Sequence, residues 1–408
     1  MKQLIRKLVR SIEAKDRLLV IAVIFLIIAA GAIYSFHLGD NLRYQDEIEY
    51  RILAQNLFSK HSYTLDGVHP TLFHPPGYPL FLSPFVKFGA GIPILRFLNF
   101  IALAASVFLI YSIAKAISSK IAGVIGAILV ICYPVLFYTA GTLYPQTIGA
   151  FCLLLILYIL LKAQDSIRPF ILIGLLSGSL LLMIPGMAIC LAILTLWIIY
   201  SKRRNSIKVL AAMYIAACLV VAPWTTRNYI VYRSFVPFSA NFGMTLLYGN
   251  SENTTPNTGA NTDISSYLQY TKGLNDVEKD KYLKSKAFEF ILKHKKRTIK
   301  MYFLKLLNHF NYRNNLATAK ETSKAKDMLM LITWGPLILL FLLRIFCLTV
   351  FKPARFETLL LILYFAYALF YAIFVTRVRY RLPLDFLLLI IVAIFLSNVI
   401  NGFARDSK

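Results

Sequence analysis

The stretch YQDEIEYRILAQNL, residues 44–57, sets three carboxylates, Asp46, Glu47 and Glu49, directly after an apolar run at 18–36. The whole chain holds 19 Asp and Glu against 44 Lys and Arg, so three acids within four positions mark a place with a task. The run before them has 19 residues, close to the roughly 20 that cross a hydrocarbon core. It follows a basic start, MKQLIRKLVRSIEAKDR, and ends without a small-residue cleavage motif, which predicts a retained first span and no processing. The acids thus open the first loop beyond the membrane.

Composition carries the reading to the rest of the chain. With 58% hydrophobic and 15% charged residues, and a mean hydropathy of +0.65, the 408 residues lie far from the soluble average. Apolar runs at 18–36, 94–116, 121–140, 145–162, 169–184, 186–200, 207–223, 328–350, 357–375 and 382–402 predict an all-α polytopic membrane protein with about ten transmembrane helices. The formal net charge of +25 by itself suggests nucleic acid. The basic residues fall instead in short loops and one long one, as membrane topology and anionic lipid require, so no nucleic-acid partner is expected. All five cysteines lie in apolar runs without a C-x-x-C pair, which predicts neither a disulfide framework nor a zinc knuckle.

One segment decides the topology. PGYPLFLSPFVKF, residues 76–88, is apolar but short and holds Pro79 and Pro84, which predicts a re-entrant segment. The loops with Lys115 and Lys120, Lys162 and Arg168, SKRRNSIK (201–208), and Lys352 with Arg355 then share the side of the basic N-terminus, as the positive-inside rule demands. Both termini are expected in the cytoplasm, with two periplasmic loops at 37–93 and 224–327. The expected organisation is a transmembrane catalytic module at 1–223, a loop at 224–327 and C-terminal transmembrane helices at 328–408. Within the second loop, GNSENTTPNTGANTD (249–263) reads as a mobile surface segment. Residues 284–310 space apolar side chains between lysines at helical period, which predicts an amphipathic helix lying on the membrane.

The candidate chemistry lies in and around the first loop. A helix opening at Asp46 aligns Tyr50, Leu53 and Leu57 on one face and sets Glu47 opposite Arg51. Its free N–H groups would hold Asp46 ionised and fixed in direction, as a general base requires; the same residues also read as a helix cap with two solvated glutamates. His61, His69 and His74 flank Asp66, but their spacing matches no common zinc pattern, and no metal or other cofactor is expected. Pro75 and Pro76 present His74 on an extended, turning backbone.

TRVRYRLP (376–383) puts Arg377, Arg379 and Arg381 at the mouth of the last span, and Arg96 opens the second span on the same side. Guanidinium groups suit a lipid phosphate at headgroup depth, although interfacial snorkelling has the same signature. The predicted spans hold almost no acid apart from Asp385, which disfavours an ion-coupled transporter. The chain has no P-loop, no complete G-x-G-x-x-G, no H-E-x-x-H and no G-x-S-x-G, which excludes the usual nucleotide and hydrolase signatures.

In their order and spacing, DEIEYRILAQNL, HPPGYPLFL, LRFLNFIALAASVFLIYSIAKAI, PWTTRNYIVYRSFVPFSANFGMTLLYGN and RYRLPL together resemble the bacterial branch of the protein mannosyltransferase and aminoarabinose transferase superfamily, across most of the chain. The resemblance implies the GT-C fold in the bacterial inner membrane. It also implies an inverting glycosyltransferase that takes a hexose or pentose from a polyprenyl-phosphate donor, with Asp46 as the catalytic residue. Glu47 or Glu49 is expected to bind the acceptor or orient Asp46, and Arg377, Arg379, Arg381, Arg96 and His74 are expected around the donor phosphate. Lipid A, another envelope glycan and a protein all remain open as the acceptor. The aminoarabinose transferases have a lysine where His74 stands, and many relatives have an acid where TLYPQT (142–147) offers Tyr144 and Gln146. The rival reading, from another class, is a flippase or transporter of lipid-linked oligosaccharide.

Overall fold

The structure is a computed structural model that describes residues 2–164, 166–202, 205–313 and 323–405. Arg203 and Arg204 of the basic loop, residues 314–322 of the second long loop and residues 406–408 lie outside it. The first half runs α1 (Lys2–Ala14), α2 (Asp16–Leu38), α3 (Gln45–Ser59), α4 (Gly77–Lys87), α5 (Ile92–Ile117), α6 (Lys120–Cys132), α7 (Pro134–Ala140), α8 (Gln146–Lys162) and α9 (Arg168–Met183). The second half runs α10 (Ala188–Lys202), α11 (Ser206–Tyr232), α12 (Phe242–Gly249), α13 (Ser265–Leu268), α14 (Asp276–Lys293), α15 (Lys295–His309), α16 (Lys324–Phe346), α17 (Arg355–Tyr371) and α18 (Val378–Arg405). No strand is present among the described residues, only an isolated bridge between Thr64 and Pro70.

Each of the ten apolar runs is helical, but they are not alike. Among the described residues six helices are long and apolar enough to cross a membrane: α2, α5, α10 with the turn before it, α11, α16 and α18. The run at 121–140 is broken between α6 and α7 by a 62° bend, and counts as a seventh span if the pair is one. Pro134 stands at that break, where its missing N–H and ring stop α6 from continuing. The runs in α8, α9 and α17 are shorter apolar helices of 17, 16 and 17 residues. Helix α4 has 11 residues, about 16 Å at 1.5 Å each, too short to cross.

Burial separates a core from a rim. The apolar windows of α5 and α18 are 67% and 61% buried, against 22–28% for α2, α10, α11 and α16, so α5 and α18 are the central pillars. On the rim, α9 lies along α11 by presenting glycines. A Cβ on Gly174 would strike the Met213 carbonyl, and one on Gly178 would come within 2.8 Å of the Ala217 carbonyl oxygen. Small residues four apart let two backbones approach where lipid gives no hydrophobic drive between helices. Two buried charges of the bundle are paired: Arg344 of α16 donates to Glu357 of α17 at 2.7 Å, and Tyr111 and Lys115 of α5 hold Asp16 at the start of α2.

The two long loops pack on each other above this bundle. Asn275 caps α14, accepting from the Val277 and Glu278 N–H groups at 3.0 Å each. That leaves the next residue, Asp276, free to accept from Leu72 N–H at 2.6 Å and Thr71 Oγ1 at 2.8 Å in the first loop. Ala240 N–H donates to Leu72 O, and Trp224 Nε1 to Phe238 O. The expected single helix at 284–310 is two, α14 and α15, interrupted at His294. Its apolar stripe of Phe288, Leu292, Ile299, Phe303 and Leu307 is exposed.

Substituting Gly174→Val is expected to lower stability by roughly 1–3 kcal/mol through forced separation of α9 and α11. Leu172→Val, on the exposed side of the same helix, serves as the control. Thermal melts of the two variants in detergent check this; equal melting points would show that the close approach carries no stability.

Candidate active site

Helix α3 supplies the acids, and its first turn sorts them. Glu47, the third helical residue, folds back so that Oε2 accepts from the Arg43 and Tyr44 N–H groups at 2.8 and 3.2 Å. Its Oε1 accepts from Leu143 N–H at 2.9 Å, and Arg96 stands 3.9 Å away. Glu47 is thus the buried cap that fixes α3 to the α7–α8 turn. It neither faces Arg51 nor reaches the cavity, because the orphan N–H groups of the helix start claim it. Asp46, freed from capping, points to the other side with Glu49 and Tyr50, three and four residues on along one face.

Asp46 and Tyr50 meet the last helix and the first loop in a cavity of about 460 Å³, which Glu49 reaches only through His74. Arg379 Nη1 donates to Asp46 Oδ2 at 2.6 Å, with both side chains about one-third exposed. The guanidinium also donates through Nη2 to the Tyr380 hydroxyl at 3.0 Å. It lies over the rings of Tyr380 and Tyr144 at 4.9 and 5.3 Å from their centroids. His74 Nε2 pairs with Glu49 Oε2. The His74 backbone is held by the Tyr63 hydroxyl, which donates to the His74 and Pro75 carbonyls at 3.0 and 3.1 Å, and its ring packs on Tyr50.

These contacts set the charge states. Burial pushes the Asp46 carboxyl up, but Arg379, with His74 behind it, more than offsets this and leaves it below its ordinary value. The His74 hydrogen bond likewise lowers Glu49 against a smaller opposing effect of burial. Both acids are therefore anions at neutral pH.

The other predicted arginines lie elsewhere. From Val378 onward the chain is helical, so residues two apart point about 200° from each other rather than to one face. Arg379 enters the cavity while Arg381 turns into the core. There Arg381 is fully buried, paired with Asp385 at 3.0 Å, donating to the His309 and Asn311 carbonyls and the Tyr133 hydroxyl, and stacked 3.7 Å from the Trp334 ring centroid. Arg96 is also fully buried, donating to Gly39 O at 2.7 Å and to Asn41 O. Neither lines the cavity, and each guanidinium is spent on protein acceptors. Arg377 donates to the Asn261 side chain and supports the Gly259–Ala260 edge of the cavity.

Sequence reasoning named Tyr144 and Gln146 only as replacements for an acid. Both line the cavity; Gln146 Oε1 itself is buried, with no hydrogen-bond partner among the described residues. Lys305 of α15 was not singled out. It is buried with no carboxylate beside it, donating to the Gly249, Ile373 and Phe374 carbonyls at 2.8–3.0 Å. Burial pulls its ammonium down to about 7. It ties together α12 and the turn between α17 and α18, which carry the cavity residues Tyr248 and Phe374. Of the histidines considered for a metal, His69 pairs with Asp66 on the surface. His74 instead joins Asp46 and Glu49, whose ligand atoms with its own lie within 4.8 Å of one another. Those three are the residues that could hold a divalent ion, once Arg379 left Asp46.

The comparisons with known proteins agree with this architecture. Residues 73–226 match the model of the dolichyl-phosphate-mannose-protein mannosyltransferase family. An archaeal oligosaccharyltransferase from Archaeoglobus fulgidus, in the apo form, has a TM-score of 0.52 at 14% identity. The match covers 93% of this chain and 51% of that one, so this chain spans about half its length. ArnT from Cupriavidus metallidurans bound to undecaprenyl phosphate matches at 13% identity and a TM-score of 0.45, covering 93% of this chain and 77% of that one. No curated protein sequence matches the chain. The chain is a multi-pass membrane protein with the fold of the GT-C glycosyltransferases, and its residues 73–226 match the mannosyltransferase family model.

Because Arg381 is a strut, Arg381→Gln is expected to cost roughly 3–5 kcal/mol by leaving Asp385 buried without its partner. Thermal melts and binding of undecaprenyl phosphate to the surviving folded fraction check this; weaker phosphate binding at unchanged stability would contradict it.

Proposed function

We propose that the chain is an integral-membrane glycosyltransferase of the bacterial inner membrane. It would move a sugar from a polyprenyl-phosphate carrier to an envelope acceptor, a lipid, glycan or protein, on the periplasmic face. The observation that carries this reading is the meeting of Asp46 and Arg379 in one cavity. An ionised carboxylate and a guanidinium at headgroup depth are what a proton-accepting base and a phosphate leaving group require. The cavity also has an apolar wall, with Met183, Ile184, Pro185 and Phe370, suited to the first isoprene units.

In this mechanism Asp46 takes the proton of the acceptor hydroxyl or amine as that atom attacks the anomeric carbon. The bond from that carbon to the carrier phosphate breaks, and the phosphate departs with the electron pair toward Arg379 and the N–H groups that open α18. A single displacement of this kind inverts the anomeric centre. Glu49, fixed by His74, orients Asp46 or binds the acceptor. No residue here selects one sugar, and no step requires a metal.

Asp46→Asn is expected to lower kcat by about 10²–10⁴-fold with the fold intact. The assay is purified protein in proteoliposomes with polyprenyl-phosphate sugars and an envelope extract as acceptor. Full activity in that variant would remove Asp46 from the mechanism. The pH profile gives a second check. A base with a lowered pKa is present at every pH above that value and lost only as pH falls through it, so the acid limb of kcat/KM should lie below 3.8. Arg379→Gln removes the charge that offsets burial, and should move this limb upward.

A further inference from the structure

Arg379 is asked to hold two anions. It is the guanidinium among the described residues that line the cavity, and one of its amino groups is already on Asp46. Its ring contacts with Tyr144 and Tyr380 confine it to a slot, in which it can turn toward a new partner but not be replaced. Arg96 and Arg381 are bound in the core and cannot take over. Glu49, the other acid of the face, is occupied by His74. Two anions competing for one confined cation exclude each other, and a carboxylate tied to a guanidinium is a poor proton acceptor.

We infer that Arg379 is the resting counter-ion of Asp46 and exchanges it for the phosphate of the carrier, so that Asp46 is released to act as base only when the donor is bound. The inference rests on the donor class proposed above and adds an order to it: donor first, acceptor second. It gives the exchange a purpose, since an acceptor arriving alone finds the base held. When both substrates are present, the acceptor proton goes to Asp46, the new bond forms from the acceptor atom to the anomeric carbon, and the carrier leaves as a phosphate monoester on Arg379.

The test is the affinity of purified full-length protein for undecaprenyl phosphate, in wild type, Asp46→Asn, Arg379→Gln and the double variant, with thermal melts to verify folding. Breaking the ion pair opposes phosphate binding in the wild type. Asp46→Asn should therefore bind roughly fivefold tighter, and Arg379→Gln should bind far more weakly. In the Arg379→Gln background, Asp46→Asn should change affinity by less than about twofold, because no pair remains to break. If Asp46→Asn is no tighter, the exchange is wrong; if it tightens binding equally without Arg379, the exchange is wrong and only through-space repulsion acts. Absence of any Arg379-dependent phosphate binding overturns the donor reading itself, and the exchange with it.

Discussion

The ion pair of Asp46 and Arg379 joins positions 333 residues apart, one just beyond the first long helix and one at the start of the last. Everything that positions the cavity serves this meeting. Glu47 pins α3 by its first turn, Asp276 pins the loop that ends in His74, and Arg381 with Asp385 seats α18 in the core. Because α18 is a central pillar, Arg379 is set by the bundle rather than by a loop. The cavity thus has one rigid wall from the bundle and one from the two packed loops.

The same residue types take opposite roles according to their surroundings. Three arginines within five positions split into a cavity ligand, a loop support and a core strut. Three acids within four positions split into a partner for Arg379, a helix cap and a partner for His74. Helical geometry sorts those that lie within α3 and α18: neighbours one or two apart diverge, and those three or four apart share a face, while Arg377 stands before α18 begins. A charge that faces the core is bound by protein donors or acceptors, since burial without them is too costly.

Hydropathy alone marked ten apolar runs that are all helical, because a run of about 20 apolar residues has few other uses, but it passed over the short apolar α12. It did not foresee the bend at Pro134 or the short α8, α9 and α17, since run length does not report where a helix stops. Asp46 and His74, which line the cavity, were candidates from their place beside the first span and the double proline. Glu47, Arg96 and Arg381 were read as functional because a charge near a span end looks alike whether it meets phosphate or a backbone carbonyl. Arg379 stood among three arginines that strict alternation put on one face, and the helix start at Val378 undid that pattern. Lys305 carried no signal at all, lying among the lysines of an amphipathic stretch; its burial depends on α12 and the turn between α17 and α18 closing over it.

The central claim is that this cavity makes a glycosidic bond. Mass spectrometry of envelope lipids, glycans and proteins tests it most directly, in cells lacking the gene and supplied with either the intact protein or Asp46→Asn. The account predicts a sugar-sized mass on one acceptor with the intact protein and its absence with Asp46→Asn. It is contradicted if no product changes mass and a lipid-linked sugar accumulates on the cytoplasmic side, which is the behaviour of a flippase.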